Sequence, residues 1–111
     1  MKIEATITAP ETIEELATHA HELDALGYDT LLVPEAGHDP YLTQMILAEH
    51  TRNARIGTGI AISFPRSPVV TAQLAWDLQR FSRGRFVLGL GTQVRAHNER
   101  RYSTPWPSPP G

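Results

Sequence analysis

Three stretches of the sequence carry groups that could do chemistry. The first is Pro34-Glu35-Ala36-Gly37-His38-Asp39, which sets a carboxylate, an imidazole and a second carboxylate close together. His38 beside Asp39 has the makings of an acid/base pair, because a neutral imidazole can both donate and accept a proton near neutral pH. The competing account leaves His38 in solvent and uses Asp39 only as the cap of a following helix. Capping alone explains Asp39, whereas both accounts stand for His38. Glu35 could hydrogen-bond a polar cofactor or simply face water. The second stretch runs from Gly57-Thr58-Gly59 through Ser63 to Pro68. Its two glycines resemble a phosphate-binding turn, but they lie inside a strand pattern and lack both the third glycine and the Lys-Ser/Thr that such a turn needs. Glycine inside a strand more often marks a bulge or the close approach of another backbone or ligand. The third stretch holds Gly89, Gly91, Thr92 and His97, where a ligand and tight packing are equally good reasons for the glycines.

Other chemistries are excluded by composition. With no cysteine among 111 residues there is neither a disulfide framework nor a thiolate zinc site. His19, His21 and His50 fall on helices with no metal-ligand spacing between them, so they read as surface residues and no metal is expected. Ten basic residues against twelve acidic ones give a net charge of -2, and the basic cluster Arg95, Arg100, Arg101 is interrupted by Glu99. No nucleic-acid or membrane partner is implied. Met1 to Pro10 carries Glu4 and no long apolar stretch, and no later apolar run could span a bilayer. The expectation is a cytoplasmic protein acting on a small molecule.

The elements that must position these groups follow from periodicity. Ile3, Ala5 and Ile7 alternate as a first strand. Thr8-Ala9-Pro10 then opens a helix with Glu11, Glu14 and Glu15 at its positive end. Its stripe is Ile13, Leu16, Ala17, Ala20 and Leu23, and it ends at Gly27. Thr30 to Val33 is a short apolar strand covered on both faces. Asp39 and Pro40 start a second helix that reaches about Thr51 and buries Leu42, Met45, Ile46 and Leu47. Arg55 to Ile62 reads as a third strand. Ser67 and Pro68 start a third helix with apolar Val70, Leu74, Leu78 and Phe81, and with Trp76 expected in the core. Phe86 to Leu90 is a fourth, buried strand. Gln93 to Gly111 changes character: Pro105, Pro107, Pro109 and Pro110 make an irregular loop.

The order β-α-β-α-β-α-β needs parallel strands with right-handed crossovers. Helices on one side curl the sheet towards a (β/α)8 barrel, and helices on both sides give an open doubly wound sheet. Either way, ligands bind beyond the carboxyl ends of the strands, where Glu35, Ser63 and Thr92 lie. A complete barrel takes roughly 250 residues. Periodicity does not choose between the two; if the sheet closes as a barrel, residues 1–92 are about half of one, followed by a Pro-rich loop over 93–111, with strand edges left free to associate.

Three segments in this order resemble the amino-terminal part of the bacterial-luciferase-like oxidoreductases, in particular the branch that uses the deazaflavin coenzyme F420. They are Gly27-Tyr28-Asp29-Thr30-Leu31-Leu32-Val33 with its Glu35 loop, Ile56-Gly57-Thr58-Gly59-Ile60 through Pro68, and Gly84-Arg85-Phe86-Val87-Leu88-Gly89-Leu90-Gly91. The resemblance implies the amino-terminal half of a (β/α)8 barrel, four parallel strands with three helices. It also implies hydride transfer to or from F420 and a small organic substrate, with FMN-dependent monooxygenation as the alternative. It places a bulge with a non-proline cis peptide at Gly59-Ile60, backing the cofactor ring, with Ala61 and Ile62 in contact. Glu35, Thr92 and His97 fall at cofactor-contact positions. Ala36 stands where some F420 relatives carry a catalytic histidine, and His38, two residues later, is the catalytic candidate. Val94 stands near the place of an acidic residue in others. Two further readings concern the chain as a whole: association as a homo-oligomer or with a missing barrel half, or an inactive truncated half-barrel joined through open sheet edges.

Overall fold

A computed structural model describes residues 2–8, 12–35, 39–63 and 65–91. Its sheet is built from β1 (Glu4–Thr6), β2 (Thr30–Val33), β3 (Arg55–Thr58) and β5 (Phe86–Val87), in that order and all parallel. A second ladder, β4 (Ala61–Ile62) with β6 (Leu90–Gly91), runs on from the last two. Between them lie α1 (Ile13–Ala25), α2 (Pro40–His50) and α3 (Pro68–Phe81).

Side-chain alternation assigns the two faces of the sheet. Ile7, Leu31, Val33, Ile56 and Phe86 are buried in one cluster with Leu16 and Ala20 of α1, Tyr41, Leu47 and Ala48 of α2, and Leu78 of α3. Thr6, Leu32, Gly57 and Val87 stand in register on the opposite face. That face is not covered by described residues: Leu32 is half-buried, and Val87, Leu88 and Leu90 are exposed. Among the described residues β2 and β5 are therefore packed on one face, where the expectation was burial on both.

The helix caps explain the boundaries. Asp39 accepts the Tyr41 N–H at 2.7 Å with Pro40 in the first turn, and Ser67 accepts the Val70 N–H at 3.1 Å ahead of Pro68. α1 begins later than Thr8-Ala9-Pro10 implied. Thr12 is the cap, its hydroxyl accepting the Glu15 N–H at 3.0 Å, in the Thr-x-x-Glu spacing of a capping box. Gly27, at φ +92, takes the left-handed turn that closes the helix and donates to the Asp24 carbonyl.

Three packing expectations are corrected. In α2 the buried face is Tyr41, Gln44, Leu47 and Ala48, while Leu42 is 71% exposed and Met45 is also exposed. Apolar residues surround this helix, so their spacing did not set its phase; Gln44 turns inward because its Nε2 donates to the Gly57 carbonyl at 2.7 Å. In α3, Thr71 and Leu78 are buried, whereas Val70 and Phe81 are exposed and Trp76 is 75% exposed, outside the core. In α1, Ile13 is exposed on the first turn.

Candidate functional site

The carboxyl ends of β2, β4 and β6 meet at one end of the sheet, and the third strand is interrupted just before it. Gly57 pairs with Val87 and Ala61 with Leu90, so Thr58, Gly59 and Ile60 stand opposite Leu88 and Gly89. One extra residue on one strand is a β-bulge. The Gly59–Ile60 peptide within it is cis, as the resemblance implied. The Thr58 hydroxyl secures the break, donating to the Gly89 carbonyl at 2.7 Å and accepting the Gly89 N–H at 2.8 Å. Ladder bonding then resumes from Ala61 N–H to Gly89 O at 2.8 Å and from Ser63 N–H to Gly91 O at 2.9 Å.

The glycines around the bulge are explained by close approach. A side chain on Gly57 would come within 2.6 Å of the Val87 carbonyl. On Gly89 it would meet the Thr58 carbonyl, and on Gly91 it would fall on Ile60 Cδ1. The Ile60 side chain thus lies across Gly91. Gly59, Ile60, Gly89 and Gly91 are partly exposed, while Ala61 and Ile62 are fully buried. The accessible surface at this end is a low apolar shelf made by Ile60 over Gly89 and Gly91, with Gly59 beside it against the Leu32 side chain.

Glu35 meets the shelf from the neighbouring strand. Its N–H donates to the Ile60 carbonyl at 3.0 Å, and its Oε1 accepts the Ile62 N–H at 2.8 Å. Arg66 donates to both carboxylate oxygens, Nη1 to Oε1 at 2.8 Å and Nη2 to Oε2 at 3.1 Å, and Nη1 also reaches the Ile62 carbonyl at 3.1 Å. The pair is withdrawn from water, the two side chains being 3% and 15% exposed. A carboxylate buried this deeply is stable only when its charge and lone pairs are matched, which the fork of Arg66 and the Ile62 N–H provide. Burial alone would pull the Arg66 pKa down, but hydrogen bonding and attraction from Glu35, with Asp39 at 3.7 Å, hold it above its ordinary value. The guanidinium also lies over the Tyr41 ring, 4.7 Å from its centre. Burial raises the Tyr41 phenol pKa, and its hydroxyl makes no hydrogen bond among the described residues.

The structure therefore brings Glu35, Gly59, Ile60, Ala61 and Ile62 together at the carboxyl end of the sheet. His38, Thr92 and His97, and the stretch 93–111, lie outside the described residues. His19, His21 and His50 are exposed. Among the described residues no group of His, Asp or Glu could hold a metal ion, and no helix is long and apolar enough to cross a membrane. Sequence reasoning missed Thr58, which closes the bulge, and Arg66, which neutralises Glu35. The available signal for Arg66 was a lone cation in the loop after one strand facing a lone carboxylate after its neighbour.

A parallel sheet with crossover helices and a shelf at its carboxyl end defines the (β/α) barrel class, of which this chain supplies an amino-terminal part. The chain belongs to the luciferase-like monooxygenase family, whose family model matches residues 1–111. An uncharacterized protein of Mycobacterium tuberculosis is 43% identical over 109 residues, 98% of this chain and 32% of that protein. The coenzyme F420-dependent tetrahydromethanopterin reductase of Methanopyrus kandleri superposes with a TM-score of 0.81 at 18% identity, over 90% of this chain and 29% of that one. The oxygenating constituent of 3,6-diketocamphane monooxygenase from Pseudomonas putida, solved with FMN, gives 0.78 at 19% identity, over 92% and 32%. Other relatives are described as F420-dependent: a glucose-6-phosphate dehydrogenase of Intrasporangium calvum and an oxidoreductase of Mycobacterium tuberculosis. The chain spans about a third of the length of the curated relatives it matches first.

Proposed function

We propose that this chain forms the cofactor seat of a luciferase-like oxidoreductase that moves a hydride between F420 and a small organic substrate. The observation that carries the reading is the Gly59–Ile60 bulge: an apolar, partly exposed shelf with Ile60 lying over Gly89 and Gly91, continued by the buried, ladder-paired Ala61 and Ile62. Such a surface fits one face of a flat aromatic ring, which would gain apolar burial there without stranding a charge. When bound, the cofactor supplies the two-electron acceptor or donor for the hydride.

The chain's own residues orient and dry that ring. Ile60 and Gly59 would support it, and Glu35 would act on it through the segment it holds, since its carboxylate is already matched within the chain. The proton that accompanies the hydride needs an acid or base. His38 is the proposed carrier, on its place in the sequence between Glu35 and the helix-capping Asp39. The substrate would lie on the open face of the ring, in the space enclosed by the rest of the barrel.

The test is a spectral titration of the protein with F420 and, separately, with FMN. Saturable quenching of F420 fluorescence that FMN does not displace supports the proposal. Displacement by FMN, or binding of FMN alone, moves the reading to a flavin monooxygenase. Binding of neither cofactor overturns it.

A further inference from the structure

Arg66 makes more contacts to the candidate site than any role in solubility would require, and each contact reaches a different part of it. It holds both oxygens of Glu35, the Ile62 carbonyl at the end of β4, and the Tyr41 ring at the start of α2. It also lies 3.7 Å from Asp39, the residue that caps α2. Glu35 and Asp39 are the two flanks of the loop between β2 and α2. One guanidinium therefore ties both flanks of that loop to the strand end that carries the Ile60 shelf.

We infer that Arg66 is the positioning residue of the cofactor site. It sets the height and tilt of the Gly59–Ile62 segment through Glu35 and Ile62, and it fixes where the β2–α2 loop leaves and rejoins the fold. The inference rests on the cofactor reading above and goes beyond it, because it assigns Glu35 a role through Arg66 in place of direct contact. The geometry demands a fork. Five N–H donors in one plane satisfy two carboxylate oxygens and a carbonyl together, whereas the compact ammonium of lysine cannot span them.

The experiment compares wild type, Arg66→Lys, Arg66→Met and the double variant Glu35→Gln/Arg66→Met, reading the F420 dissociation constant by fluorescence and the thermal midpoint. Arg66→Met alone strands a buried carboxylate and loses stability. The double variant removes that charge while keeping an oxygen for the Ile62 N–H, so it recovers most of the midpoint. Positioning predicts that it still binds F420 roughly tenfold more weakly than wild type, the size of coupling usual for groups in one network. Arg66→Lys should regain stability but not full affinity. A stability-restored double variant that binds F420 like wild type overturns the inference and leaves the cofactor reading standing. A wild-type protein that binds neither F420 nor FMN overturns both.

Discussion

Adding a methyl group at Gly91 and at Gly89 should have different consequences, although the glycines are two residues apart. At Gly91 the new Cβ would fall on Ile60 Cδ1, the far end of a flexible side chain on a partly exposed shelf. Ile60 can move aside by leaving its rotamer, at a cost of about 0.5–1.5 kcal/mol. Alanine gives back about 0.4–1 kcal/mol by restricting the unfolded chain. Gly91→Ala should therefore change stability by less than about 1 kcal/mol, while tilting the surface proposed to carry the ring. The expected loss in F420 affinity is about three- to tenfold, corresponding to about 0.7–1.4 kcal/mol. At Gly89 the obstacle is the Thr58 carbonyl, which is backbone and cannot rotate away. Relieving that clash opens the bulge and weakens the exchange of hydrogen bonds between Gly89 and the Thr58 hydroxyl, and the Ala61 N–H bond with it. Gly89→Ala should cost about 2–4 kcal/mol, from overpacking plus one or two weakened bonds. Urea unfolding measures the first quantity and F420 fluorescence titration the second. Equal stability loss in the two variants, or unchanged cofactor affinity in Gly91→Ala, would refute the reasoning.

Three further outcomes follow away from the candidate site. Arg85 donates to the Thr51 hydroxyl and the Ala54 carbonyl at 2.7 Å, and to the Thr51 and Ala48 carbonyls at 3.2 and 3.4 Å, closing the end of α2. Arg85→Met should cost about 2–4 kcal/mol in urea unfolding, since charge-assisted bonds are lost and carbonyls are left without donors. Asp24 accepts the N–H groups of Arg52, Asn53 and Ala54. Burial opposes its charge, but these three bonds and Arg85 outweigh it and hold the pKa below its ordinary 3.8. A lowered pKa means that its stabilisation is present above about pH 4 and disappears as the pH falls through the folded value. Midpoints of thermal unfolding measured between pH 6 and pH 2.5 should drop more steeply for wild type than for Asp24→Asn; parallel curves would exclude the assignment. Trp76→Gln, on the exposed face of α3, should alter stability by no more than about 0.5 kcal/mol, checked by the same unfolding series.

The element order was legible because each helix carries its own start and stop. Asp39-Pro40, Ser67-Pro68 and Gly27 are local signals, and a local signal needs no knowledge of the rest of the chain. The phases of α2 and α3 were not legible. Leu42, Met45, Ile46, Leu47 and Ala48 give α2 apolar residues on every side, and the deciding contact is a polar one, Gln44 to the Gly57 carbonyl. Trp76 was expected in the core but stands on the outward face of α3, 75% exposed, because the phase of that helix is set by Thr71 and Leu78. At the site, Glu35 and the Gly59–Ile60 segment were placed by family pattern, which also anticipated the bulge and its cis peptide. The bracing by Arg66 was invisible, since it depends on two loops meeting across neighbouring strands. The offset between the ladders that defines the bulge is likewise a property of strand pairing, not of either segment alone.

The most direct test of the central claim, that the Gly59–Ile62 segment seats the cofactor, is amide hydrogen exchange with and without saturating F420. The account predicts added protection confined to residues 59–63 and 89–91, at the carboxyl ends of the strands. Protection at the opposite end of the sheet, around Asp29, Asn53 and Arg55, with none at Gly59 to Ser63, would contradict it.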